Sequence, residues 1–528
     1  MRLLSWLRGQ PARRRRATAK PAARVRLRLE ALEDRYVPST WAVTSAVDDM
    51  NLAGTLRHAV AHAVDGDTIL LTGAVKTNGI TLTQGELILT QQNLTIRSAA
   101  RPNPVTISGG GNSRIFEVAG GASVTLSNLT IIGGDGQTGN LNDPHEGRGG
   151  GIVVDEGATL SITDSTVSDC FAPFVAGKGG LGGGIADYGT LTVSGCTVSD
   201  DQALGTYGGG IAVFSGAPFS EPFSATLTVS ASIVCNNTAQ QNGGGITGVS
   251  STLTVSDTTL TGNSTVLYDG GGVNLHGGTL TMTGCTLSDN RAAEHGGGAF
   301  ISTAVQGSLV IPATAAFSDC TVTGNSASST SGGFSFGGGI DNAGTMTISS
   351  GTVSGNSAST PQGFGFGGGI MNFGTMTINN GCTLSGNTAD ISGGGIDNQG
   401  TLTISACTLS GNTAQYGGAI LNISDLTIDH CTLTGNSAGD SGGAIYNFFF
   451  FGDTGVTISA CTITHNTAVN FGGGIDNQSG PMTIENASVI TGNTAPSGFG
   501  ADVYNFDTLY LAARSIISIL DGGPAIPI

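Results

Sequence analysis

A glycine-rich tetrapeptide recurs down most of this chain, and each copy carries the same tail. From Gly393 the sequence reads GGGIDNQGTLTISACTLSGNTA, and from Gly417 it reads GGAILNISDLTIDHCTLTGNSA. The residue closing the tetrapeptide falls at Ile152, Ile185, Ile211, Ile246, Val273, Ala299, Ile340, Ile370, Ile396, Ile420, Ile445 and Ile475, with a degenerate thirteenth copy at Val503. Intervals run from 24 to 41 residues, so one unit has a fixed minimum length and the excess is insertion. Self-similarity at this period denotes a solenoid or an array.

Within one unit, Leu402 and Ile404 alternate with Thr403 and Ser405, and Cys407 and Leu409 alternate with Thr408 and Ser410. That two-residue period belongs to strands with one buried face. Three short strands and three turns per 24 residues fit one coil of a parallel β-helix. Thr, Ser and Gly dominate and no 3.6-residue pattern persists, which excludes helices. The predicted fold is all-β: a single right-handed parallel β-helix of about 13 Gly-rich coils behind an N-terminal cap. Coils about 4.8 Å apart pair their backbones with the coils on either side and leave strand edges only at the two ends.

Stacking places equivalent side chains in ladders. Asn237, Asn263, Asn290, Asn325, Asn356, Asn387, Asn412, Asn436, Asn466 and Asn493 follow the third strand, most of them after Gly, a pair suited to a left-handed turn. A second row comprises Asn342, Asn372, Asn398, Asn422, Asn447, Asn477 and Asn505. Stacked inward, these amides can bond one another. Seven of the nine cysteines share one repeat position, occupied elsewhere by Ser165, Ser232 or Thr258, so they read as small inward hydrophobes with free thiols. There is no CxxC or His/Cys cluster in the sequence, so no metal ligands are assigned.

Charge divides the chain. Residues 1–40 carry eleven basic and three acidic residues, a net of +8; the remainder carries nine and thirty-four, a net of −25. An acidic body argues against a nucleic-acid partner. The boundaries read as a basic segment over 1–40, a cap and first coils over 41–132, and Gly-rich repeats with insertions over 133–528. In the cap, Gly54 to Ala63 reads as a short amphipathic helix. No run of eighteen apolar residues predicts a transmembrane helix, and no alternating ten-residue strands predict a membrane barrel after the last coil.

Two resemblances add to this. Leu29, Glu30, Leu32, Glu33 and Arg35 resemble the Leu-Glu-x-Leu-Glu-x-Arg segment near the start of large exported planctomycete proteins, which implies export or surface sorting. The Gly-Gly-Ala/Gly-Ile motif, with Leu409-Ser410-Gly411-Asn412 and its equivalents, is similar to the GGA[ILV] and FxxN repeats of chlamydial polymorphic outer-membrane proteins. That resemblance runs from about Gly149 to Asn505 and implies a surface passenger, often adhesive, with a separate translocation machinery as partner where no barrel is attached.

β-Helices also serve as polysaccharide lyases and hydrolases, so chemistry has to be argued from residues. Between Gly149 and Gly500 the basic residues besides histidine are Lys178 and Arg291, in separate coils. Asp200-Asp201 is the adjacent acidic pair, and Asp201 falls on the Asn-ladder position. Asp341, Asp397 and Asp476 follow the tetrapeptide and read as outward polar strand residues, with calcium as the functional alternative. His145, His276, His295, His430 and His465 read as solvent-facing or turn residues. No catalytic or cofactor-binding residues are assigned. The partner-binding candidates are the Phe-rich insertions, Phe334 and Phe336, Phe364 and Phe366, and Phe448, Phe449, Phe450 and Phe451. The expected function is an exported cell-surface or extracellular protein, adhesive or structural, engaging surface glycans or proteins and not an enzyme. The alternative is a carbohydrate-active lyase or glycoside hydrolase.

Overall fold

The computed structural model describes residues 38–528 except 100–102, 138, 140–142, 176, 178, 216–224, 330–332, 450–454 and 497. The Leu29-to-Arg35 motif and the basic segment up to residue 37 therefore lie outside the described residues.

From Pro38 the chain is a single right-handed parallel β-helix. One minimal coil contains four strands rather than the three read from sequence: Ile396–Asn398, Thr401–Ser405, Thr408–Ser410 and Thr413–Tyr416. The first two lie end to end on one face. They fuse into one eleven-residue strand at Ile246–Ser256 and again at Val273–Thr283. Each strand pairs in parallel with its counterpart one coil on: Ile396 with Ile420, Leu402 with Leu426, Leu409 with Leu433, Thr413 with Ser437. The third strands form a 16-stranded sheet. Three of its members, Ile80–Thr81, Val105–Ser108 and Leu129–Ile132, precede the first Gly-rich copy, so coiling begins before the glycine signature does.

Ile396, Leu402, Ile404, Cys407, Leu409 and Ala414 point inward and are buried. Each large aliphatic contributes about 1.5–3 kcal/mol by leaving water. The alternation with Thr and Ser arises because only one strand face meets this core. The glycine run turns the chain back toward the first strand. At Gly393 φ is +61°, and a Cβ there would lie 2.3 Å from the Ile396 carbonyl oxygen. At Gly394 it would lie 2.5 Å from the Gly418 oxygen. The third position accepts a Cβ in some coils, as Ala419 and Ala444 show.

Both asparagine rows are continuous ladders. In the long one each Nδ2 donates to the Oδ1 of the next coil, from Asn237 to Asn263 (3.0 Å) through to Asn466 and Asn493 (2.9 Å). The short one runs likewise from Asn342 to Asn505 at 2.7–2.9 Å. All nine cysteines are free thiols, eight of them buried and Cys235 half-buried. Their sulfurs accept backbone N–H groups from the preceding coil, Cys407 to Cys431 and Cys431 to Cys461 at 3.4 Å, as the Ser232 hydroxyl does for Cys196.

The helix Leu56–His62, capped by the Thr55 hydroxyl accepting the His58 N–H, buries Leu56, Ala59 and Val60 against the first coils. Asp67 ties the first strand down, accepting from the Ser39 N–H, the Ser39 hydroxyl, the Trp41 indole and the Val64 N–H. No helix among the described residues is long and apolar enough to cross a membrane.

Candidate functional site

The residue before each glycine run and the residue five positions later face each other across the turn. The leading row reads Arg148, Leu181, Tyr207, Asn242, Asp269, His295, Phe336, Phe366, Ser392, Tyr416, Ser441, Phe471 and Phe499. Neighbours along it are joined by parallel bridges, as at Leu181–Tyr207, His295–Phe336 and Ser392–Tyr416. The second row is the middle residue of each first strand. It runs in register through Glu117, Val153, Phe300, Asp341, Asp397, Tyr446 and Asp476. The residue after that strand forms a rim, with Asp155, Tyr188, Phe214, Gln399 and Phe448 among its members. The leading row, the floor and the rim enclose a notch parallel to the solenoid axis.

Side chains cross this notch. Ser392 Oγ bonds Asp397, and His295 Nδ1 sits 2.7 Å from Asp341 Oδ2 one coil on. Rings line it: Phe336 stacks on Phe366 (5.3 Å) and on His295 (4.9 Å), Tyr416 meets Tyr446 (5.3 Å), and Tyr188 stacks on Phe214 (5.7 Å). Between Phe366 and Phe448 the notch opens into a cavity of about 250 Å³ lined by Ser392, Asp397, Tyr416 and Tyr446.

The floor corrects the outward reading of Asp341, Asp397 and Asp476. All three are fully buried, because the leading row folds over a strand face that alternation alone would give to water. Burial raises their carboxyls, that of Asp397 to about 6 and that of Asp476 to about 7. Asp187, one residue past the floor position on the inner side of its strand, is likewise pushed to about 7 by burial, with one oxygen held by the Gly189 N–H.

Among the described residues, two polar clusters stand on this track. In the first, the donor atoms of Glu117, His145 and Asp155 lie within 4.8 Å of one another, and His145 Nε2 is 2.9 Å from Asp155 Oδ1. Fully buried Arg114 holds the loop that delivers His145. It bonds Glu86 at 2.5 Å, the His145 carbonyl at 2.7 Å and the Arg148 and Gly149 carbonyls at 3.2 Å. Arg148 reaches the Tyr188 hydroxyl at 3.0 Å. Burial, aided by the charges of Glu86 and Asp155, raises the Glu117 carboxyl. The second cluster brings Asp269, Glu294 and His295 within 4.8 Å.

His145 and His295 are thus cluster members rather than solvent or turn residues, while His430 and His465 are turn residues at positive φ and His276 bonds Ser302 Oγ at 2.8 Å. The two arginines escaped the sequence reading because they precede Gly149. The fixed five-residue spacing across the glycine run was the signal that could have found the notch. Asp201 sits within the ladder, donating its N–H to Asn237 Oδ1 at 3.0 Å.

Of the Phe candidates, Phe336 and Phe366 pair in one strand ladder beside the notch. Phe334 and Phe364 are exposed and meet edge to face at 5.5 Å. Phe448 lines the cavity, and Phe449 packs over Gly480 with its N–H on Ser479 Oγ. Phe450, Phe451 and Lys178 lie outside the described residues.

No family model matches the chain, and no curated protein matches it. Among solved structures it matches one titled "Crystal structure of pectate lyase Pel9A", at 12% identity and a TM-score of 0.35, covering 65% of this chain and 76% of that one. At that level no residue correspondence transfers. The expectation that the chain is not an enzyme is nonetheless corrected, since the matched structure is titled as a lyase.

Proposed function

We propose that the notch binds a polysaccharide lying along the solenoid axis, and that the chain is a carbohydrate-active enzyme acting at the Glu117–His145–Asp155 cluster. The observation that carries this is the notch itself, in which aromatic rings and the buried acids Asp341, Asp397 and Asp476 recur along one track. Rings offer faces to sugar rings, and carboxyls offer hydrogen bonds to hydroxyls. The coil rise of about 4.8 Å suits a linear polymer.

Hydrolysis fits the cluster better than elimination. A lyase needs cationic groups free to neutralise a uronate, but Arg114 is spent on Glu86, on Glu117 at 3.5 Å and on backbone carbonyls, and Arg148 on Tyr188. Two carboxyls with oxygens within 4.8 Å approach the separation of about 5–5.5 Å used by retaining glycosidases. Glu117 would protonate the leaving oxygen. Asp155, oriented by His145, would attack the anomeric carbon, and Glu117 would then activate water for the second step. The favoured substrate is a neutral glycan, because a uronate would meet the carboxyls of Glu117 and Asp155.

The test is incubation of the full chain with neutral and acidic polysaccharides, following chain shortening and co-sedimentation. Shortening of a neutral polymer with retained anomeric configuration, abolished in Glu117→Gln with co-sedimentation intact, is the expected result. Neither shortening nor binding of any polymer would overturn the reading. A second reading, an exported surface adhesin, is favoured by the exposed rings of Phe334, Phe364, Phe373, Phe499 and Phe506 beside the notch. Under it the polymer is held and not shortened, and Phe334→Ser with Phe364→Ser weakens the hold.

A further inference from the structure

We propose that Asp269, Glu294 and His295 bind a divalent transition-metal ion, at a site independent of the proposed hydrolysis. Their donor atoms already lie within 4.8 Å of one another. The fold sets them there: Asp269 and His295 are consecutive members of the leading row, with the Gly270 N–H donating to the His295 carbonyl at 2.8 Å. Glu294 is anchored by its own N–H to the Tyr268 carbonyl at 3.1 Å.

A second observation points to a ligand. Asp341 is fully buried, its Oδ2 is 2.7 Å from His295 Nδ1, and its Oδ1 has no partner. One Asp269 oxygen is also buried without a partner. So is Oδ1 of Asn274, on the floor of the coil that Asp269 opens. Buried oxygens left without donors are costly, and a cation would relieve that cost.

The donor chemistry selects the ion. With Nδ1 held by Asp341, the imidazole presents Nε2, and a carboxylate behind a metal-binding histidine fixes its tautomer and orientation. Phe336, stacked on the ring at 4.9 Å, holds its plane. One imidazole with two carboxylates suits zinc, cobalt or nickel, whereas calcium and magnesium favour all-oxygen shells. Three protein ligands leave a position for water or for a sugar hydroxyl in the notch.

The test is titration of chelator-treated full-length protein with Co²⁺, following the visible ligand-field bands and stoichiometry, then displacement by Zn²⁺. We expect an equivalent that is lost in both Glu294→Gln and His295→Gln and weakened about 10–100-fold in Asp341→Asn. Ca²⁺ should not displace it. His58 and His62, whose rings lie 4.1 Å apart on one helix, and His145 are the competing sites. Far-ultraviolet circular dichroism confirms that each variant is folded. Binding that survives both Glu294→Gln and His295→Gln, or that disappears in His58→Gln or His145→Gln instead, overturns the proposal, as does no binding by the wild-type chain.

Discussion

Asp502 closes the long asparagine ladder. Its Oδ1 accepts both the side-chain amide of Asn493 at 2.9 Å and the Asn493 backbone N–H at 3.0 Å, and its Oδ2 takes the Ile519 N–H at 3.0 Å. Asp502→Ala should cost about 1–3 kcal/mol for each buried group left without a partner. Urea unfolding of the full chain checks this through a lower midpoint, and an unchanged midpoint would show that the ladder end carries no stability.

At the other end, Asp201 stands in an asparagine position without the amide to fill it. Its Oδ1 accepts the Cys170 N–H at 2.8 Å, while its buried Oδ2 has no donor. Burial raises this carboxyl well above the ordinary range. Asp201→Asn should therefore stabilise the fold by about 1 kcal/mol at pH 7, by supplying the missing N–H groups. A lower melting temperature in this variant would show that the carboxyl is required as such.

Stability should depend on pH with an acidic maximum. Burial raises Asp187 and Asp476 to about 7 and Asp397 to about 6 in the folded state. Their protonated forms favour folding, so this contribution is full below the unfolded value of about 4 and fades as pH rises through 6 to 7. Asp67 runs the other way: burial raises its carboxyl, but the donors from Val64, Ser39 and Trp41 outweigh that and bring it to about 2. Its contribution is present above about pH 4 and lost on further acidification. Melting temperatures from pH 2 to 9 should peak near about pH 4–5; a maximum above pH 7 would refute the assignment.

Thiol chemistry offers an independent readout. With eight cysteines buried and Cys235 half-buried, a thiol reagent should label one site in the folded chain and the rest only on unfolding. Fast labelling of several sites would mean that the coils open locally.

Tyr446→Ala should reduce co-sedimentation with the bound polymer by about tenfold, in keeping with loss of one stacking platform of roughly 1–2 kcal/mol, and should leave the melting temperature within a few degrees. Tyr446 is half-buried between Tyr416 and Phe448, so its ring meets the cavity rather than the core.

The core was legible because every coil repeats it. Ile396, Leu402, Ile404 and Leu409 alternate as strands must, and the two asparagine rows could be read from their spacing alone. The notch was not legible in the same way. Alternation places Asp397 outward, and only the backward turn at Gly393 brings Ser392 over it. Glu117, His145 and Asp155 converge from two coils and an insertion, a juxtaposition that no local pattern encodes. Asp502 escaped notice because it approaches the ladder from the glycine turn rather than from the third strand.

Every side-chain amide in the long ladder donates once to the acceptor in the next coil and once to a backbone carbonyl of the coil before, and only the ladder's two ends, Asp201 and Asp502, depart from asparagine. A coil duplicated between them would bring its own amide and inherit a donor before it and an acceptor after it. Coil number can therefore drift through gene duplication while both termini stay unchanged, and a longer notch would come with every coil gained.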